Sequence, residues 1–289
     1  MVRLSAPLIL ASMGGVFGDR ANILNISLES VMLTGAFFAT WGSYLFENPW
    51  MGLLFGIIAG LFMSALFGVF VLHCNANAVV VGIAMNLGAW GFTSLLLESV
   101  FKTRGSFMDP RIKSFTSLDI PLLNRIPFLS DILNKQNVLV YLAFAAVIFS
   151  YIIIFKTPFG LRLRGVGINE KAAQTTGTSL LKYRWISLCF TGVLVGMAGS
   201  FLPLSGISMF TENMSAGKGF LAVAAIMIGK GNPLKVFAGC LVFAYADALA
   251  IGLQSYNISS QLVLMMPYIA TIVVLLLTNL KNSKGKSNI

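Results

Sequence analysis

Long apolar runs, separated by polar gaps, set the rhythm of this chain. Nine can be marked, near residues 4–17, 28–46, 50–73, 79–101, 138–155, 185–206, 219–229, 233–253 and 262–280. A helix needs about 20 mostly apolar residues to cross a bilayer, and most of these runs approach that length. The pattern predicts an all-α fold, a polytopic transmembrane helix bundle of about nine membrane segments, forming one domain over residues 1–289. The first run is short and reads as a truncated or broken helix. A cleaved signal peptide fits poorly, because Arg3 stands alone and no clear small-residue cleavage site follows.

Two stretches interrupt the apolar pattern from within. Residues 18–30 pass through Gly18, Asp19, Arg20, Asn22, Asn25 and Glu29, and residues 206–219 through Thr211, Glu212, Asn213, Ser215 and Gly217. Polar backbone survives at membrane depth only where it is buried in protein or lines a wet cavity. Both stretches are therefore expected to be broken helices. A similar polar-then-small-apolar order follows each, which hints at an internal duplication of the kind common in transporters. Gly56 with Gly60, and Gly192 with Gly196, have the small-xxx-small spacing that lets helices pack closely.

Composition agrees with a membrane solvent. Hydrophobic residues make up 57% of the chain and charged residues 10%, with a mean hydropathy of +0.84. A soluble domain carries roughly 25% charged residues. The net charge of +10 sits in the gaps between apolar runs, where membrane proteins keep Lys and Arg for orientation. No basic stripe with interleaved aromatics is present, so no nucleic-acid partner is expected.

Of the two long gaps, 102–137 mixes both signs of charge. The other, 156–184, holds Lys156, Arg162, Arg164, Lys171, Lys182 and Arg184 against Glu170 alone. One apolar run separates the gaps, so they must lie on opposite faces, and the more cationic is assigned to the cytoplasm. Residues 102–137 then form an extracytoplasmic loop. This choice places twelve basic residues inside and eight outside, and the N-terminus outside.

Candidate chemistry is sparse. Cys74, Cys189 and Cys240 lie in or beside apolar runs and read as packing residues. His73 is the only histidine, so no metal site, cofactor site or hydrolase triad is expected. Gly285-Lys286-Ser287 lacks the first glycine of a nucleotide-binding loop, Leu280 standing in its place. Acidic residues in or near apolar runs are Glu29, Glu98, Glu212 and Asp247. Each can mark a solute pathway, or only an interfacial residue or interhelical hydrogen bond. Asn77 suits a helix cap, whereas Asn86 falls deeper in the same helix and suits a cavity-facing hydrogen bond. Asn169 can cap a short helix containing Ala172 and Ala173 and ending at Gly177. This is either a docking element for a partner or an ordinary amphipathic connector.

The stretch Gly160-Leu-Arg-Leu-Arg-Gly-Val-Gly-Ile-Asn-Glu-Lys-Ala-Ala-Gln-Thr-Thr-Gly177 resembles the cytoplasmic coupling loop of a known family. This is the permease family serving branched-chain amino acids, simple sugars and nucleosides, the membrane subunits of bacterial ABC importers. The order from Ala6-Pro7 through Asn25, Glu29 and Gly35-Ala36-Phe37 resembles the family's first motif. So does Phe210-Thr211-Glu212-Asn213-Met214, with Gly229 and Asn232-Pro233-Leu234 following. Ser27 and Ser30 stand where the family commonly has glycine.

The resemblance is strongest to the shorter nucleoside-type permease. It implies a heterodimer with a longer homologous permease, a cytoplasmic ATPase with two fused nucleotide-binding domains, and an extracytoplasmic substrate-binding lipoprotein. The permease itself would not be an enzyme. The resemblance, read with the residues above, places ATPase coupling on Gly165, Gly167, Asn169, Glu170, Ala172, Ala173 and Gly177. Asn25, Glu29, Asn86, Glu212 and Asn213 become candidates for the pathway of a small solute. The expected function is import of nucleosides across the plasma membrane, with ribose-like sugars or branched-chain amino acids as alternative cargo. Rivals of another class are an ion-coupled secondary transporter and a membrane-embedded enzyme.

Overall fold

Asparagine, scarce in lipid-facing helices, is used here to start them. Asn48, Asn77, Asn137, Asn169 and Asn232 each turn their side-chain oxygen onto a backbone N–H of the following first turn, at 2.9–3.1 Å for the nearest. Each satisfies a donor that the helix cannot satisfy itself, a contribution of about 0.5–2 kcal/mol per cap. Asn48 and Asn232 are followed by proline, whose missing N–H is harmless at that position.

The computed structural model describes residues 2–118 and 136–253. Its helices are α1 (Val2–Arg20), α2 (Leu28–Phe46), α3 (Pro49–Gly68, continued by a π turn over Val69–His73), α4 (Ala78–Phe101) and α5 (Val138–Lys156). They continue as α6 (Pro158–Ile168), α7 (Glu170–Thr175), α8 (Leu180–Leu204), α9 (Lys218–Gly229) and α10 (Pro233–Leu253). Five of these are long and apolar enough to cross a membrane: α3 with its π turn, α4, α5, α8 and α10. The expected runs 4–17 and 28–46 also form helices, α1 and α2, which are largely buried. The expected run 262–280 lies outside the described residues. Helix α6 was not foreseen; Thr157 caps it by accepting from the Gly160 N–H at 3.2 Å.

Helix α8 is the centre of the bundle and packs on α1, α2 and α3. In its most apolar stretch 67% of residues are buried, against 22% for the peripheral α4. The two glycine pairs meet at this centre. A Cβ on Gly196 would fall 2.6 Å from the Gly56 carbonyl oxygen, and one on Gly60 would fall 2.7 Å from the Gly196 Cα. Backbone therefore touches backbone between α3 and α8, and the small residues are a requirement of the contact. Buried hydroxyls return their hydrogen bonds to their own helices, as Thr40 does to Ala36 O, Thr191 to Ser187 O and Ser200 to Gly196 O. This leaves no polar group facing lipid at those positions.

Helix α8 is also a ruler, about 36 Å from end to end at 1.5 Å per residue. At its Leu204 end lie the described residues of the first long gap. The Phe115 N–H donates to Leu204 O at 3.0 Å, Ser114 and Ser208 share a hydrogen bond of 2.6 Å, and the Lys113 N–H donates to Ser43 at 2.9 Å. Strand β1 (Ser106–Met108) pairs antiparallel with β4 (Met209–Thr211), and β2 (Ser117–Leu118) with β3 (Gln136–Asn137). On this exposed end the Arg111 guanidinium bonds Asp109 and holds its carboxyl below the usual range. At the opposite end Arg184 ion-pairs with Glu170 of α7, and Arg20 donates to Gly231 O at 2.7 Å and Lys230 O at 3.2 Å. The cationic gap, Arg20 and Lys230 thus share one end, as the charge pattern requires.

Candidate functional site

Both predicted interruptions are breaks in the helical backbone. Helix α1 ends at Arg20 and α2 does not begin until Leu28; α8 ends at Leu204 and α9 begins at Lys218. Each break leaves a helix start inside the bundle with N–H groups that nothing in its own helix can accept. The structure solves both problems with side chains from elsewhere in the chain.

Glu29 belongs to the first turn of α2, yet its carboxylate serves α9. Oε1 accepts from the Ser215 hydroxyl at 2.5 Å and the Gly217 N–H at 2.8 Å, and Oε2 accepts from the Gly219 N–H at 2.6 Å. A negative charge at a helix N-terminus is also favoured by the helix dipole. The approach is so close that a Cβ on Gly219 would lie 2.5 Å from the Glu29 Cα. Asn86 of α4 does the same for α2. Its Oδ1 accepts from the Ser30 N–H at 2.9 Å while its Nδ2 donates to Ile26 O at 3.0 Å. Gly82, one turn earlier, lets α4 come this near, since a Cβ there would meet Ile26 and the Ser27 nitrogen at 3.0–3.1 Å. Ser27 and Ser30 are buried. Ser27 donates through its N–H and its hydroxyl to Asn25 Oδ1, and the Ser30 hydroxyl donates to Ser27 O at 2.6 Å.

Glu29, Asn86 and Asn213 come together around one pocket of about 490 Å³, with Leu33, Trp90 and Phe220 on its walls. Glu29 lines this space although it is only 6% exposed. The other two expected pathway residues are elsewhere. Asn25 lies in a separate crevice with Asp19 and Met227, and its buried Nδ2 has no partner among the described residues. Glu212 is exposed and held to the loop that follows α4, its N–H donating to Gly105 O at 2.8 Å and its Oε1 accepting from the Gly105 N–H at 3.1 Å. Glu98 is likewise peripheral, ion-paired with Arg104 at 2.5 Å. Asp247 of α10 stands 4.0 Å from the ammonium of Lys218, the first residue of α9. That pairing sets a charge of opposite sign beside a lysine the helix dipole disfavours.

At the basic end, α7 has the caps expected of it. Asn169 Oδ1 accepts from the Ala172 N–H at 3.1 Å. Gly177, at φ +75°, ends the turn, with its N–H donating to Gln174 O at 2.9 Å. Ala173 is buried and Ala172 exposed. Gly165, Asn169, Ala172 and Ala173 line a surface groove of about 510 Å³ together with Leu161 and Ile168. Ile168 is 84% exposed and Leu161 64%, an apolar surface in a strongly basic neighbourhood. Gly167 does not face the groove; it lies against the Arg20 carbonyl, where a side chain would collide. Glu170 turns inward, accepting from Arg184 and, at 3.4 Å, from Asn22. The two glycines and the glutamate are therefore not equivalent, a distinction invisible in the one-dimensional motif.

Cys74 and Cys189 are exposed free thiols and Cys240 a buried one. Among the described residues no cluster of His, Cys, Asp and Glu could hold a metal ion.

Residues 1–276 match the family model described as the permease component of the branched-chain amino acid transport system. The chain is 34% identical to a nucleoside ABC transporter permease protein of Lactococcus lactis, covering 96% of this chain and 90% of that one. It is also 34% identical to a guanosine ABC transporter permease protein of Bacillus subtilis, covering 94% and 88%. Among solved structures, its fold is similar to an ABC transporter described as metal-chelate type in an inward-facing conformation. The TM-score is 0.55 at 16% identity, over 95% of this chain and 83% of the other.

Proposed function

The chain belongs to the permease-component family of the branched-chain amino acid transport system, and on that premise we propose that it is the multi-pass permease subunit of an ATP-driven nucleoside importer in the plasma membrane. Two relatives identical at a third of positions over nearly their whole length are named for nucleoside and guanosine transport, which supports the cargo class. The expected companions are a longer homologous permease, a cytoplasmic ATPase, and an extracytoplasmic binding lipoprotein.

The observation that carries the mechanism is the exposed, doubly capped α7 beside its apolar groove. An ATPase that grips this helix from the cytosol meets a surface already ordered by Asn169 and Gly177. Its movement has a route inward. Glu170 holds Arg184 of α8 and Asn22, and Gly167 rests on Arg20. Arg20 and Asn22 open the non-helical segment that leads, through Asn25 and Ser27, to the first turn of α2. There Glu29 holds the start of α9. A displacement at the groove would therefore reach both helix breaks through packed backbone and hydrogen bonds. Coupling of this kind needs a contiguous element with two arrangements, and alternating access supplies them.

Replacing Ala172 with arginine puts a bulky cation on the exposed face of α7 without touching the bundle. Uptake is expected to fall at least tenfold while membrane insertion and folding stay normal; unchanged uptake would remove the docking assignment. Cysteine labelling of residues 165–177 should react from the cytosol only, and labelling from outside would defeat the importer reading altogether. Cargo is tested by uptake of radiolabelled nucleoside in cells lacking this subunit, with pentose and amino acid controls. Nucleoside uptake alone should disappear. Uptake that survives ATP depletion but follows an ion gradient would favour a secondary transporter.

A further inference from the structure

The pocket between the two helix breaks contains more than the residues that build it. Glu29 and Asn86 are occupied in capping α9 and α2, but three other side chains on its walls have no hydrogen-bond or ring partner among the described residues. Trp90 is 50% exposed and Phe220 45%. Neither ring contacts another aromatic side chain among the described residues, whereas Phe37, Phe101, Phe210 and Tyr44 do. The Trp90 indole N–H and the Asn213 side-chain amide have no hydrogen-bond partner there either. Asn213 is held at φ +54° in the turn before α9, which fixes where its side chain leaves the backbone.

Lipid does not suit this pocket. An acyl chain would lie against a wall that includes Glu29, Asn86 and Asn213, and polar groups facing hydrocarbon at depth are strongly disfavoured. Water or a polar solute satisfies them. The volume, about 490 Å³, falls within the roughly 300–1,000 Å³ of small-molecule sites. Two aromatic faces without a ring partner among the described residues and an amide that both donates and accepts match one cargo chemistry: a flat heteroaromatic base with a polar edge. Stacking on aromatic faces is tolerant of base identity, because every base has a π-face.

We propose that Trp90 and Phe220 form an apolar seat for the nucleobase of the transported nucleoside, with the Asn213 amide bonding its polar edge. The assignment rests on the nucleoside-importer reading above. It differs from the residue-by-residue expectation in placing the recognition on side chains without a bonding partner among the described residues, and the caps Glu29 and Asn86 behind them.

The test uses the whole importer, with its binding protein, ATPase and second permease, reconstituted in proteoliposomes. Uptake of labelled purine and pyrimidine nucleosides is measured at saturating loaded binding protein, and a photoreactive azidopurine nucleoside is crosslinked during turnover. Trp90→Ala and Phe220→Ala should each cut turnover about tenfold and remove label from residues 86–90 and 213–220. Trp90→Phe should keep the label and most of the turnover, which controls for misfolding. Asn213→Ala should change the purine-to-pyrimidine uptake ratio more than the total rate. If the unaltered complex carries no nucleoside, the cargo assignment itself fails. Should it carry nucleoside while Trp90→Ala and Phe220→Ala leave turnover and label unchanged, the base seat alone is wrong. Loss of the second permease from Trp90→Ala complexes, with label unaffected, would give the seat to a partner helix and equally overturn the proposal.

Discussion

Replacing Glu29 with alanine is expected to abolish solute uptake and to lower the melting temperature of the purified protein. The carboxylate is the acceptor for two N–H groups and a hydroxyl at the start of α9. Leaving a buried donor without an acceptor costs about 1–3 kcal/mol, and the adjoining pocket can return only part of that through water. Glu29→Gln keeps one carbonyl oxygen for Ser215 and Gly217 but turns an amide N–H toward the Gly219 N–H, so it should fall between wild type and alanine. Glu29→Asp is one methylene too short to serve Gly217 and Gly219 together and should resemble alanine. Thermal melts followed by size-exclusion chromatography, read beside uptake, check the series. Full stability and full uptake in Glu29→Ala would show that α9 does not depend on this cap.

Gly60→Val is expected to prevent folding, giving little or no monodisperse protein. The atoms a side chain would meet at Gly60 are the backbone of Gly192 and Gly196, which cannot move without separating α3 from α8. Overpacking typically costs about 1–3 kcal/mol, and it is worse where no rotamer can relieve it. The contrast is Gly88→Ala or Gly91→Ala on α4, where a Cβ meets nothing within 4 Å. Those changes should be neutral or stabilise by about 0.5–1 kcal/mol, since glycine is the weaker helix former. Comparable yields of Gly60→Val and Gly91→Ala would dismiss the close approach of α3 and α8.

The glycine pairs illustrate what can be read before any coordinates exist. Their four-residue spacing belongs to a single helix, so Gly56 with Gly60 and Gly192 with Gly196 announce themselves locally. The same holds for Asn77 and Asn169, whose caps act on residues two and three positions later. Apolar runs, charge asymmetry and helix starts are all short-range properties, and they sufficed for a helical membrane bundle with breaks within residues 18–30 and 206–219. Read together with the family resemblance, they also brought Glu29, Asn86 and Asn213 onto one list of candidates.

Tertiary structure decided which of those candidates meet and what each one does. Glu29 bonds residues 186 to 190 positions away, and Asn86 bonds residues 56 and 60 positions away. No periodicity encodes such partners. Glu29 and Glu212 look alike in sequence, each an acid beside an interruption, yet one is buried at a helix start and the other exposed beside Gly105. Trp90 and Phe220 look like ordinary lipid-facing aromatics until α2, α4 and α9 are placed around a common space. The sequence determined that the long apolar segments among the described residues are helices, though not α6 within the basic gap, because hydrogen bonding within a helix and burial in an apolar solvent are decided within one turn and one span. Only the packing of separate segments could decide where two broken helices meet, because an orphaned N–H is satisfied by whichever side chain the fold brings within reach.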